Sequence, residues 1–108
     1  MLAADVNLPG AERVAGDIQA AGGVAVSQLV NVAEEAQVEA MVQRALDEWG
    51  GVDVLVNNAG YSHRQKLLWK ISVEEFDAVF GVNVRGVFLG CKHAIPPMME
   101  AGGGVIVN

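Results

Sequence analysis

Cysteine, aromatic residues, positive charge and long apolar runs are all scarce in this chain of 108 residues. The single cysteine, Cys91, has no partner for a disulfide within the chain and suits a reducing, cytoplasmic setting. Seven Lys and Arg against thirteen Asp and Glu give a net charge of −6. That balance argues against nucleic acid as a partner, because phosphate binding needs a basic face. No apolar run approaches the roughly 18 residues of a membrane span, the opening residues do not read as a secretory leader, and no membrane partner is expected. His63 and His93 stand at no metal-ligand spacing from each other or from Cys91, so no metal site is expected. Neither a Walker-type glycine loop nor a Gly-x-Ser-x-Gly elbow is present. What the chain does have is a 52% hydrophobic composition. That is too apolar for disorder at this charge, and the length allows one globular domain.

Glycine and proline divide the sequence at regular intervals. Leu2-Ala3-Ala4 reads as a short strand ending at Asp5, followed by a turn at Asn7-Leu8-Pro9-Gly10 with Pro9 at a first helical position. Residues 11–21 read as a helix with Val14, Ile18 and Ala21 on one stripe, stopped by Gly22-Gly23. Residues 24–32 read as a valine-rich strand. Residues 34–49 carry the clearest helical period, through Val38, Met41, Val42, Ala45, Leu46 and Trp49. Glu34 and Glu35 sit in its first turn, where the helix dipole favours negative charge. After Gly50-Gly51, residues 52–56 form a nearly unbroken apolar run, the pattern of a parallel strand covered on both faces. Residues 58–70 read as a loop. Ser72 and Glu75 make a capping box for a helix carrying Phe76, Phe80, Val84, Val87, Phe88, Cys91 and Ile95, which Pro96-Pro97 should disrupt. Gly102-Gly103-Gly104 turns the chain into a last strand, residues 105–107. The phenylalanines, Met41 and Trp49 are expected in the core, Cys91 as a small core residue, and His93 at the surface. The alternation of strands and helices predicts an α/β fold with a parallel sheet and right-handed crossovers. The pattern alone also admits a flavodoxin-like domain.

In open parallel sheets, ligands bind beyond the carboxyl ends of the strands. Here those ends carry Asp5, Asn31, the run Asn57-Asn58-Ala59-Gly60, and Asn108. An acid at a strand tip can accept both hydroxyls of a ribose, though a solvated turn aspartate has the same sequence signature. Two amides followed by two small residues allow backbone and ligand to approach closely. Asn83 falls on the apolar stripe of its helix, where asparagine is a poor helix former. A buried amide without partners costs about 1–3 kcal/mol. Asn83 therefore satisfies a neighbouring backbone, or it holds water or substrate.

Together these stretches resemble the short-chain dehydrogenase/reductase family over the whole chain. Asp5 matches the acidic end of the family's second strand. Leu29-Val30-Asn31-Val32 matches the place where the family usually has Asp-Val. Asp53-Val54-Leu55-Val56-Asn57-Asn58-Ala59-Gly60 matches its most recognisable motif. Val82-Asn83-Val84-Arg85-Gly86-Val87-Phe88 matches the helix bearing its catalytic asparagine, and Gly103-Gly104-Val105-Ile106-Val107-Asn108 matches the start of its fifth strand.

The resemblance implies a Rossmann-like, doubly wound parallel sheet that is incomplete. Residues 1–108 would be a partial dinucleotide-binding domain carrying the family's second to fifth strands. The first strand, the Gly-rich phosphate loop, the catalytic Ser and the Tyr-x-x-x-Lys are not among these residues. Tyr61 and Lys66 do not replace that last motif, being five residues apart. Because the family's first strand separates its second from its fourth, a gap about one strand wide is expected, near 4.8 Å on each side.

The activity implied is NAD(P)-dependent oxidation or reduction of an alcohol, ketone or sugar, with this chain inactive in isolation. Asp5 would hold the adenosine ribose and favour NAD over NADP. Asn31 would take the adenine edge with its amide oxygen, beside Val32. Asn57, Asn58, Ala59 and Gly60 would line the cofactor groove, and Asn83 would hold a water of the proton relay. The full-length protein is expected to form a homo-oligomer. A non-catalytic nucleotide-binding or partner-pairing α/β module is the alternative.

Overall fold

Four short parallel strands alternate with helices along the chain. The computed structural model describes residues 1–108. Strand β1 spans Leu2–Asp5, helix α1 Leu8–Ala20, β2 Val26–Leu29, α2 Glu35–Trp49 and β3 Val54–Val56. A 3-10 turn at Leu68–Lys70 precedes α3, Val73–Phe80. A π-helical turn, Gly81–Arg85, joins α3 directly to α4, Gly86–Glu100, and β4 closes the chain at Val105–Val107. No helix is long and apolar enough to cross a membrane.

The strands form two separate parallel pairs. β1 pairs with β2, Leu2 opposite Val26 and Asp5 opposite Leu29. β3 pairs with β4, Val54 opposite Val105 and Val56 opposite Val107. β1 and β3 do not pair. The expected gap is therefore present, as a slot of about 540 Å³ lined by Leu2, Ala4, Met41, Trp49, Val54 and Val56 among others. Helix α1 packs on the first pair, whereas α2 and α4 pack on each other and α4 on β3. The radius of gyration, 15.4 Å, exceeds the roughly 13 Å of a compact domain of this length.

Local sequence explains most element ends. Asn7 Oδ1 accepts from Gly10 N at 3.3 Å and caps α1. Gly50, at φ +76°, closes α2 with its N–H on Leu46 O at 2.7 Å. Ser72 Oγ accepts from Glu75 N at 3.1 Å, and Glu75 Oε2 accepts from Ser72 N at 3.0 Å, completing the capping box of α3. Lys66 pairs with the same Glu75. Together with the Ser72 backbone, Lys66 holds that carboxyl below its ordinary range.

Several expectations are corrected. β2 is shorter than residues 24–32, running only Val26–Leu29. On α1 the buried positions are Ala11 and Ala15, and Val14 faces solvent. β3 is covered on one face only. Leu55 joins the core with Val42, Ala94 and Met98, while Val54 and Val56 remain 56% and 58% exposed. No helix of this chain packs on the opposite face of β3 and β4, because α1 lies against the first strand pair.

Pro96 and Pro97 do not break α4, which continues to Glu100. Ala94 and Met98, both buried, flank the two prolines. Their packing offsets the two missing N–H donors. The phenylalanines and Trp49 are exposed, not core: Phe88 stands 61% open, and Phe76 and Phe80 stack on one another outside. The buried face of the π turn and α4 is instead Gly81, Gly86, Leu89, Gly90, Ala94 and Met98. Small side chains let the helix sit close to the sheet, so the bulky stripe faces outward. Cys91 is half-buried and not in the core, and the ring of His93 is largely covered and not at the surface.

Candidate functional site

The carboxyl ends of β1, β2 and β3 converge on a groove of about 420 Å³. It brings together Asp5, Asn31, Val32, Asn57, Asn58, Ala59 and Gly60, all seven residues expected to line it. The far wall comes from the π turn and α4, through Val82, Gly86, Val87 and Gly90, with Tyr61 at one end. Val82, Gly86 and Val87 lie in the stretch matched to the family's asparagine-bearing helix, but the sequence assigned none of these wall residues to the groove. The signal available was the spacing of Gly86 and Gly90, one helical turn apart.

Asp5 sits at the open rim. One carboxylate oxygen, Oδ1, accepts from Asn7 N at 2.8 Å, which orders the turn into α1 and leaves Oδ2 free. Asn31 is held on both sides: its N–H donates to Gln37 Oε1 at 2.8 Å, and its Oδ1 accepts from Ala33 N at 3.1 Å. An amide oxygen accepts two hydrogen bonds, so one acceptor position on Asn31 stays open.

Asn57 is engaged structurally. Its N–H donates to Val107 O at 2.8 Å, and its Nδ2 donates to Asn108 Oδ1 at 2.8 Å and lies 3.8 Å from Cys91 Sγ. Its Oδ1 occupies the space a Cβ on Gly90 would take. Asn57 thus ties β3 to β4 and to α4, and the groove surface beyond it falls to Asn58, Ala59 and Gly60. The last two present a methyl group and no side chain, so a ligand can approach the backbone there.

Asn83 does not line the groove. It lies in an adjoining recess with Tyr61, Ser62 and Asn108. Its Oδ1 accepts from Tyr61 N and its Nδ2 donates to Tyr61 O, both at 2.8 Å. The unfavourable amide on the helix is therefore satisfied by a neighbouring backbone. It clamps the loop after β3 onto the π turn, the kind of helical irregularity often found at functional sites.

No cluster of three or more His, Cys, Asp or Glu side chains could hold a metal ion. The groove does suit a dinucleotide. It spans three strand ends, has an acid at one rim, is lined largely by apolar side chains, and includes Ala59, Gly60, Gly86 and Gly90, which carry little or no side chain. Its volume lies within the several hundred Å³ of small-molecule sites.

The short chain dehydrogenase family model matches residues 1–108. A 2-(R)-hydroxypropyl-CoM dehydrogenase of Xanthobacter autotrophicus is 46% identical over 80 residues, covering 72% of this chain and 32% of that protein. Among solved structures, a 3-ketoacyl-(acyl-carrier-protein) reductase of Brucella melitensis complexed with NADH superimposes at a TM-score of 0.87. It is 44% identical, over 94% of this chain and 40% of its own. An alcohol dehydrogenase of Thermococcus sibiricus complexed with 5-hydroxy-NADP also reaches 0.87, at 27% identity over 98% of this chain and 45% of its own. The chain thus spans less than half the length of each of these proteins, and its two strand pairs are part of a Rossmann fold. It belongs to the short-chain dehydrogenase family of oxidoreductases.

Proposed function

We propose that this chain forms the cofactor-binding part of a nicotinamide-dependent oxidoreductase acting on a small alcohol or carbonyl compound, with NAD preferred to NADP. The observation that carries this reading is the groove itself, with Asp5 at one rim and Asn57-Asn58-Ala59-Gly60 at the other. Asp5 would accept the hydroxyls of the adenosine ribose through its free oxygen, and its charge would repel a 2′-phosphate. Asn31 would receive the adenine amino group, with Val32 packed beside the ring. The nicotinamide cofactor, when bound, would supply the hydride. Asn58, Ala59 and Gly60 would hold it close to the backbone. Asn83 would hold a water of the proton relay through the second acceptor position of its amide oxygen.

Turnover is assigned to the full-length protein, and the 108-residue chain is proposed to bind cofactor without catalysing the reaction. Full-length copies would pair through the exposed stripe of Phe76, Phe80, Val84, Phe88 and Ile95. The net charge of −6 supports a setting without nucleic-acid partners, and the lone thiol supports a cytoplasmic one.

Calorimetric titration with NAD and NADP tests this reading. Saturable NAD binding with weaker NADP binding is the expected result. An Asp5→Ser variant should narrow the difference. Binding of neither cofactor by soluble chain would overturn the proposal. The slot between β1 and β3 favours a second reading, a module that takes an extended strand from a partner. Concentration-dependent association without cofactor binding would support that reading instead.

A further inference from the structure

The lip of the groove at Asn31 and Val32 is held against the π turn and α4 by contacts within and beyond the groove. Val32 packs on Gly86, where an added Cβ would come within 2.7 Å of Val32 Cγ2. Ala33 lies over Gly81 at 3.5 Å from the same hypothetical position. Two residues further on, Glu35 opens α2. Its Oε1 accepts from Lys92 Nζ at 2.5 Å and lies 3.2 Å from His93 Nε2, both on α4. A carboxylate can only accept, so Nε2 carries a proton whether or not the ring is charged. The bonds from Lys92 and His93 hold the Glu35 carboxyl below its ordinary range.

Exposed ion pairs contribute little to stability on their own. The placement of this one is what matters. It joins residues 57 and 58 positions apart in sequence, on the two helices that bound the lip. The ring of His93 is largely covered, at 17% exposure, whereas Glu35 is half open. No other acid lies within 4.0 Å of the Lys92 ammonium or the His93 ring nitrogens.

We infer that Glu35 is a positioning residue: braced by Lys92 and His93, it fixes the Asn31–Val32 lip and so sets the width of the groove at its adenosine end. The inference rests on the proposed cofactor reading. The brace sits at one end of the groove, so its loss should weaken the ligand half bound there and spare the other. A general loosening of the fold would weaken both.

The test is binding to the chain by calorimetry, with ADP-ribose and nicotinamide mononucleotide as separate probes. Glu35→Gln keeps an acceptor and removes the charge; Lys92→Gln breaks the brace from α4. Each should weaken ADP-ribose about two- to fivefold, the range an exposed charge pair spans. Binding of nicotinamide mononucleotide should not change. Unchanged ADP-ribose affinity in both variants would overturn the inference, as would an equal loss for both probes. Failure of the unsubstituted chain to bind NAD would instead overturn the cofactor reading on which it stands.

Discussion

Gly90 and Gly16 undergo the same chemical change on replacement by alanine, and the structure predicts opposite outcomes. Both lie inside helices, where glycine is disfavoured relative to alanine by about 1 kcal/mol. At Gly16 an added Cβ meets nothing within 4 Å, so Gly16→Ala should stabilise the fold by nearly that amount, about 0.5–1 kcal/mol. At Gly90 the same atom would collide with Asn57 Oδ1 and would lie 3.4 Å from Leu55 Cδ2. Asn57 could turn away only by giving up its bond to Asn108, worth about 1 kcal/mol. Alternatively α4 could lift from β3, at an overpacking cost of about 1–3 kcal/mol. The first response about cancels the gain in helix propensity and the second exceeds it, so the net for Gly90→Ala is a loss of up to about 2 kcal/mol, where Gly16→Ala gains. In a domain of this size, that is a fall in midpoint of up to about 15 °C. Urea and thermal denaturation followed by circular dichroism, at low concentration to limit association of the open strand edges, would measure both. If Gly90→Ala stabilises the chain as much as Gly16→Ala does, α4 is not seated on Asn57, and the account of the groove's far wall fails with it.

Removing the Ser72 hydroxyl, in Ser72→Ala, should cost about 1 kcal/mol through loss of the cap on α3, read by the same denaturation assay. Glu75, paired with Lys66 and bonded to the Ser72 backbone, has its carboxyl held below the ordinary value of 4.5. The unfolded chain therefore takes up that proton first, so the stability this group contributes is present above pH 4.5 and is lost as pH falls through the lower folded value. A stability profile from about pH 6 to 3 should fall less steeply in Glu75→Gln than in the parent. Asn83→Leu removes both bonds to the Tyr61 backbone. It should speed amide exchange at Tyr61 and Ser62 while leaving α4 protected, measured by hydrogen exchange. A short extended Val- and Ile-rich peptide should raise the denaturation midpoint by filling the slot between β1 and β3, and a scrambled, charged peptide should not.

The order of strands and helices was legible from glycine placement and apolar periodicity, and the groove was legible because strand ends carry short polar residues. Asp5, Asn31 and Asn57 through Gly60 lie where a parallel sheet places its ligands. Position along a strand is a local property, and local patterns carry it. What failed was the assignment of faces. The run at residues 52–56 reads as a strand covered twice, yet only Leu55 is buried, because the helix expected on the other side packs on a different strand pair. Strand composition records that a face is apolar but not which element will lie on it.

The helix after Ser72 shows the same limit more sharply. Its bulky residues, Phe76, Phe80, Val84, Phe88 and Ile95, recur at helical spacing and look like the buried stripe. The face that reaches the sheet is the one that can come closest, with Gly81, Gly86, Gly90 and Ala94. A hydrophobic period reports where apolar side chains align; close approach of backbones is decided by where side chains are small. Here the two criteria select opposite sides of one helix. The glycine side then serves twice, letting α4 rest on Asn57 and Leu55 and forming the smooth wall of the groove above them. Asn83 belongs to the same logic. Its place among apolar residues is unfavourable for a helix, yet it sits where the π turn meets the loop after β3, and its amide matches the two backbone groups of Tyr61. The residue least suited to its local pattern thus marks the joint between the fold and the site.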